Sequence, residues 1–473
     1  MNKIDYSSFE SAVEAADLPT ELVAPSAAAV TEVGVISLFA GIGGFDLAFE
    51  RVGADILMQC ELDKFCQSVL RRHWPKAKLA ADITKLDPET MPDADVWTAG
   101  FPCQDVSLAR GNHGRNGLRG AHTSLFFKLM ELVEVKKPKV ILLENVVGLL
   151  NSHRGCDFAV ILNELTSRGY AVAWRVLNAR YFGAPQSRSR VFLCAWRGDY
   201  ISAVGTLFEG IASAKPGPER TGFVTQTKDS RTGAIVPEVA YCVAATSGRH
   251  TGNDWSRSYI SYADRVRRPT PTESERLQGF PTDWTLPEAT FPEPGRGLDS
   301  ERYHAVGNAV AVPVVTWIAG RIIAGLSTKT KASKLDFAAY VRKAAPDLNR
   351  ESRLVDFLEV LKGVDAGNYS YRWKSGGCAW GHVVVEGAAS PAPVKVIPSR
   401  FVDVLDATVP HDRYFLTPNA AAGIVRRADS VGRTLFPPMR KALDKIAATI
   451  EKPGVHSPRN EGAKEWPAQL SSA

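Results

Sequence analysis

The chain has 473 residues, 45% of them hydrophobic and 23% charged, with 38 Gly and 29 Pro. That is the composition of two or three packed domains, and it excludes a wholly disordered or low-complexity chain. Its net charge of +6 is confined to the end of the sequence, where 21 Lys and Arg face 15 Asp and Glu from residue 331 onward, against 36 of each before it. A basic appendage on a neutral body points to a polyanionic partner.

No apolar run approaches the ~20 uncharged residues of a membrane span, and the opening stretch is acidic without an apolar core, so a cytoplasmic protein with no membrane partner is expected. Seven cysteines, at 60, 66, 103, 156, 194, 242 and 378, are scattered without a C-x-x-C pair. They form neither a disulfide framework nor a zinc site, and no metal is expected.

Residues 1–32 read as a flexible lead-in. The apolar run 35–39 stops at a glycine turn, 40–44, and helical spacing follows at Phe45, Ala48 and Phe49. A second strand over 55–60 ends on Glu61 and leads into a helix over 65–73. Strands at 96–99 and 139–143 run into Gly100 and into Glu144-Asn145, with helices at 124–135 and 158–168. This alternation predicts right-handed β-α-β units, hence an α/β, doubly wound, mostly parallel sheet over 33–198. From 199 to 263 the pattern breaks into short Gly/Pro/Thr-rich pieces, a loop-rich lobe. A helix at 270–277 and a long apolar helix at 309–326 return the chain to the first domain over 264–328. The remainder, 329–473, reads as an α+β appendage with a basic helix near 420–433.

Four constellations fall where strands leave such a sheet, at the edge that binds ligands. In the turn FAGIGG at 39–44, Phe39, Gly41 and Gly43 let backbone approach a ligand, and Glu61 follows 18 residues after Gly43 to accept from a ribose diol. This serves NAD and S-adenosylmethionine equally. Cys103 stands on a turn stiffened by Pro102, a nucleophile if its thiol is acidified. Glu144 emerges from an apolar strand, which raises a carboxyl pKa and lets it hand a proton to a ring nitrogen. Arg188 and Arg190, alternate residues in QSRSR, can hold an anion or a carbonyl oxygen.

In this order the motifs resemble those of the DNA (cytosine-5) methyltransferases of bacterial or phage type. The resemblance runs from about 35 to 315 and rests on FAGIGG, GFPCQ, ENV at 144–146, QSRSR, the RPTP to RLQGFP helix at 268–281, and AVGNAV at 305–310. It implies a Rossmann-like methyltransferase sheet and transfer of a methyl group from S-adenosylmethionine to carbon 5 of a flipped cytosine. By the same resemblance Cys103 attacks carbon 6, Glu144 protonates ring nitrogen 3, Arg190 and Arg188 hold the base carbonyl, and Asn145 and Pro102 support the turn. The cofactor pocket draws on Phe39, Gly41, Gly43, Glu61, Asp82, Ile83, Asn308 and Val310, with Ala81 where the family usually has Gly. Gln104, Arg110, Arg115 and Arg119 belong to a loop expected to close over DNA.

The recognition region, 199–263, is short and carries Cys242 where the family usually has Thr. A segment near 413–427 is similar to sequence that phage-type members carry inside that region. The C-terminal part is therefore expected to form a second DNA-contacting lobe with Arg426, Arg427, Arg433 and Arg440 near phosphates. The implied partners are double-stranded DNA and a companion restriction endonuclease, for a monomer at the bacterial nucleoid. Three rival readings are weighed against this one. An RNA cytosine-5 methyltransferase would use the same chemistry. A catalytically silent DNA-binding relative would be expected to lack Cys103 or Glu144, and an NAD-dependent oxidoreductase leaves the ENV and QSRSR runs idle.

Overall fold

The computed structural model describes residues 33–102, 125–211, 221–248, 256–328, 336–351, 353–365 and 370–449. The apolar runs read from the sequence belong to the parallel half of a ten-stranded sheet. Strands β1 (Gly34–Leu38), β2 (Asp55–Cys60), β3 (Lys78–Ala80), β4 (Val96–Ala99) and β5 (Val140–Val146) pair in parallel in the order β3-β2-β1-β4-β5. Every residue of β1 and β4 is buried, as expected of strands covered on both faces. Helices α1 (Gly44–Arg51) and α2 (Lys64–His73) cover one face, and α3 (Leu125–Lys136) and α4 (Cys156–Thr166) the other. Asp63 starts α2 by accepting from the Cys66 N–H.

Beyond β5 the sheet continues antiparallel. The next neighbours are β8 (Ser189–Arg197) and then β6 (Tyr170–Asn178), with the two-residue β7 (Gln186–Ser187) leading into β8. Helix α5 (Tyr200–Leu207) packs back on β6 and β8. The recognition region drawn from 199 thus begins with a helix of the catalytic domain, because α5 is apolar and buries six of its eight residues. The lobe itself is a four-stranded sheet of β9 (Gln226–Lys228), β10 (Ile235–Pro237), β12 (Ile260–Ser261) and β13 (Val266–Arg267), while β11 (Ala240–Tyr241) pairs with β7.

Helix α6 (Pro271–Leu277) opens with a capping box between Thr270 and Glu273. A separate helix that the sequence pattern does not predict, α7 (Leu298–Asn308), precedes the one expected over 309–326, which is α8 (Val312–Ser327). Ala309 and Ala311 are extended, and Pro313 sits in the first turn of α8, where its missing N–H costs nothing. No single helix among the described residues is long and apolar enough to cross a membrane.

The segment 329–473 is not one appendage. After α9 (Phe337–Ala344), the strands β14 (Arg353–Asp356), β15 (Gly376–Trp380) and β16 (Val383–Gly387) extend the catalytic sheet, with α10 (Phe357–Asp365) between β14 and β15 and β15 antiparallel to β6. A side chain at Gly377 would collide with Trp174 of β6, so the close pairing needs glycine there. Arg175 of β6 is fully buried and donates to the carbonyls of Ser390, Ala392 and Leu207, with Asp347 at 3.4 Å. Residues 401–447 pack elsewhere, the turn at Phe401–Val404 against β10 and α6, and the final helices, α11 (Pro418–Ser430) and α12 (Pro437–Ala447), against β12 and β13 of the lobe.

Candidate active site

The carboxyl ends of β1 to β5 open onto one cavity of about 520 Å³. Its wall runs from Phe39 and Gly41 through Glu61, Leu62, Asp82 and Ile83 to Pro102 and Glu144, and is closed by Arg188, Arg190, His304 and Asn308. Phe39 is left-handed at φ 56, a conformation that costs a non-glycine residue roughly 1–2 kcal/mol and places it at the turn's entrance. Gly41 is left-handed too, and a Cβ there would meet nothing within 4 Å, so its backbone faces open space. The Glu61 carboxylate accepts from the Gly41 N–H at 2.7 Å and the Asp63 N–H at 2.8 Å, and burial raises its pKa. Asp82 caps the turn that follows β3 by accepting from the N–H and hydroxyl of Thr84, and those bonds hold its pKa low.

Two residues grouped with these in the sequence do not line the cavity. Gly43 caps α1 and packs where a side chain would collide with Trp74, and Val310 fills the space beside Gly44, its Cγ2 2.7 Å from where a Cβ would stand.

Opposite the turn, β5 and β8 bring a carboxylate and a guanidinium together. Val146 pairs with Arg190 and Glu144 with Phe192, so Glu144 and Arg190 are diagonal neighbours on one face. Arg190 Nε lies 3.0 Å from Glu144 Oε1, but that oxygen accepts no aligned hydrogen bond. Burial raises the Glu144 pKa against the opposing pull of Arg190 and Arg188. Next to it, the buried Asn145 donates through Nδ2 to the Phe101 carbonyl at 2.9 Å, while its Oδ1 accepts from the Val146 N–H. Asn145 thereby ties β5 to the backbone that enters Pro102. Such a cavity can bind a nucleoside at one end and protonate a polar ring at the other.

The sequence pattern of the C-5 cytosine-specific DNA methylases matches residues 33–240 and 223–324 of this chain. The chain belongs to that family. It is 31% identical over 320 residues to the type II methyltransferase M.SsoII of Shigella sonnei, covering 62% of this chain and 81% of that one. Against M.HaeII of Haemophilus aegyptius the identity is 33% over 321 residues, or 63% of this chain and 96% of the relative. M2.BsuMI of Bacillus subtilis (strain 168) is 33% identical over 312 residues, covering 60% and 74%.

In this DNA cytosine methyltransferase the two arginines of QSRSR have different surroundings. Arg188 is 3% exposed and donates to the carbonyls of Val243 at 2.9 Å, Ala309 at 2.7 Å and Gly307 at 3.3 Å, and to the Cys242 sulfur at 3.3 Å. Both terminal nitrogens of its guanidinium are committed to the protein, against the expectation that they hold a base carbonyl, while the buried Nε at the cavity wall has no described partner. Arg190 gives one bond to the Ser189 carbonyl and otherwise faces Glu144.

Cys242 is half-buried and lines a small cleft with Tyr241, Tyr259 and Arg268, beside the methylase cavity. Arg426 and Arg427 lie on α11, which forms no wall of that cavity. Cys103, Gln104, Arg110, Arg115 and Arg119 lie outside the described residues. Sequence reasoning missed Leu62, whose side chain is 74% exposed at the cavity's nucleoside end, and His304, which shares the α7 terminus with Asn308. The signal for Leu62 was a large aliphatic residue directly after Glu61, in an otherwise polar loop.

Proposed function

We propose that this methylase transfers a methyl group from S-adenosylmethionine to carbon 5 of a cytosine flipped out of double-stranded DNA, at a specific sequence, through a covalent adduct with Cys103. The observation that carries the reading is the pairing of Glu144 with Arg190 inside the cavity that also holds Glu61 and the glycine turn. The nucleoside end fits an adenosine. Gly41 leaves open space, Leu62 offers an apolar surface, and two N–H donors hold the Glu61 carboxylate so that its outer lone pairs are left for a ribose diol. Phe39, Asp82, Ile83 and Asn308 complete that end.

S-adenosylmethionine supplies, when bound, an electrophilic methyl group on a sulfonium sulfur. Cytosine carbon 5 is a weak nucleophile until the Cys103 sulfur adds at carbon 6. Glu144, whose burial favours its protonated form, hydrogen-bonds the exocyclic amine and gives its proton to ring nitrogen 3 as the sulfur adds. Arg190 holds the base carbonyl oxygen and keeps the carboxyl oriented. Asn145 is a positioning residue, fixing the Phe101 carbonyl and with it the approach of Pro102 and Cys103. Once carbon 5 carries the methyl group, a water takes the carbon 5 proton, the electron pair re-forms the carbon 5–carbon 6 double bond as the carbon 6–sulfur bond breaks, and the ring nitrogen 3 proton returns to Glu144. Gln104, Arg110, Arg115 and Arg119 close over the duplex once the base is out, and Cys242 lies on the side of the base. The type II relatives support a companion restriction endonuclease, and the proposed enzyme acts as a monomer at the nucleoid.

The test is methyl transfer from labelled S-adenosylmethionine to mixed-sequence duplex DNA, with bisulfite sequencing of the product. Label is expected at cytosine carbon 5 with the unaltered chain and none with Cys103→Ala. Label transferred equally by both proteins, or only to RNA, overturns the proposal.

A further inference from the structure

Among the described residues, the recognition lobe holds few cations free to meet a phosphate. Six Lys and Arg are described between 226 and 268, and five are bonded to the protein itself. Arg231 is tied to Asp229, and Arg257 to Thr246. Arg265 faces Asp412 at 3.8 Å and lies over the Phe415 ring. Arg267 makes a two-pronged pair with the buried Glu273, and Arg268 donates to the Gly248 carbonyl. Only Lys228 is exposed without a described bond. Four strands of two or three residues are also too short to be stable alone.

What completes this lobe comes from the far end of the chain. Tyr259 and Val266 share a hydrophobic core with Leu416 and Ile424, on or beside α11, and with Leu443 and Ile446 of α12. The Leu416 N–H donates to the Val266 carbonyl at 2.8 Å, and the Arg268 N–H to the Tyr414 carbonyl at 3.1 Å. Asp406 accepts from Thr270 and Arg276, locking the segment to α6 as well. On the helix pair and the turn that joins it, Arg426, Arg433 and Lys441 are exposed, and no side-chain bond to the protein is described for any of them. Arg440, in contrast, is committed to Asp429 and Asp444, so it does not belong with the phosphate-facing residues.

We infer that the DNA-recognition lobe is assembled from two stretches far apart in sequence, 226–267 and 401–447, and that the second supplies its duplex-contacting surface through Arg426, Arg433 and Lys441. Residues 336–387 take no part, because they complete the catalytic sheet. The inference rests on the reading of the protein as a DNA methyltransferase. It follows from where cations remain available: each phosphate neutralised releases counterions, and only an uncommitted exposed cation can do so without first breaking a bond in the protein.

The experiment is anisotropy of a labelled mixed-sequence duplex bound by the full chain and by the triple variant Arg426→Ala, Arg433→Ala, Lys441→Ala, at 50 to 200 mM salt. The salt slope is expected to fall by about 2 to 3 and affinity by ~10-fold or more. Thermal melting and the binding of S-adenosylhomocysteine are expected to stay as in the unaltered chain. The charge-preserving pair Arg426→Lys, Arg433→Lys should keep the slope. Unchanged affinity and slope in the triple variant overturn the lobe assignment, even if cytosine methylation continues. A fall in slope by a protein that methylates no cytosine supports the lobe and overturns the methyltransferase reading instead.

Discussion

Replacing Arg188 and Arg190 separately should give two different failures. Arg188 is almost fully buried and serves three carbonyls. In Arg188→Ala the Ala309 carbonyl keeps a second donor, Gln278 Nε2 at 3.1 Å, but those of Val243 and Gly307 lose their strong donor in a buried place. At about 1–3 kcal/mol for each unsatisfied buried carbonyl, the loss is about 2–6 kcal/mol. That is a large share of a typical stability of about 5–15 kcal/mol, and it corresponds to a melting temperature lower by about 5–10 °C. In Arg190→Ala the residue lost is partly exposed and holds Glu144 from one side only. Burial raises the Glu144 pKa and Arg190 opposes that, so losing Arg190 moves the carboxyl further toward its neutral form rather than fixing an unpaired buried charge. Melting should move by less than about 2 °C, while methyl transfer falls by roughly 10²–10³, the scale for losing one donor to a developing charge. Thermal melts, equilibrium binding of S-adenosylhomocysteine and labelled methyl transfer on the same preparations separate the two. Equal melting temperatures with equal losses of activity would refute the division of roles.

Asp46 lies fully buried beneath the glycine turn, bonded to Gln59, and burial pushes its pKa from 3.8 to about 6. Because the folded pKa is the higher one, the charged form opposes folding. That cost is absent below about pH 4, grows as pH rises to about 6 and is full above it, at roughly 3 kcal/mol. Asp46→Asn should therefore resist denaturant better than the unaltered chain at pH 7.5 and equally well at pH 4, in urea melts at both values. Asn145→Ala leaves the buried Phe101 carbonyl without its donor, and about 1–3 kcal/mol of stability should go with it, along with a fall in kcat larger than any change in cofactor affinity. Leu62→Ala removes an exposed side chain, so stability should hold, while S-adenosylhomocysteine binding weakens about tenfold in calorimetry, since an adenine would otherwise cover it.

The parallel half of the sheet was legible because its strands are apolar runs ended by glycine or a carboxylate, as at Gly41, Gly100 and Glu144. Those endings are also where the ligand edge lies, so fold and candidate site were read from the same residues. The extension by β14 to β16 was not legible. Its strands are four or five residues long, β15 opens on two glycines, and its pairing with β6 spans some 200 positions, which no local period records.

The division between Arg188 and Arg190 was hidden for a different reason. Spacing by two predicts one shared face only along an unbroken strand. The ladder breaks at Arg188, between β7 and β8, and resumes at Ser189. That interruption turns the first guanidinium toward the carbonyls of Val243, Gly307 and Ala309 and leaves the second beside Glu144. Val243 follows β11 and Gly307 and Ala309 end α7, so one buried cation joins the last motif to the segment between β11 and β12. A residue in that position acts on the reaction by holding the walls together, and a motif that keeps both arginines need not use both in chemistry. The sequence pattern shows two cations two residues apart, and only the broken ladder separates the one committed to the pocket wall from the one that faces Glu144.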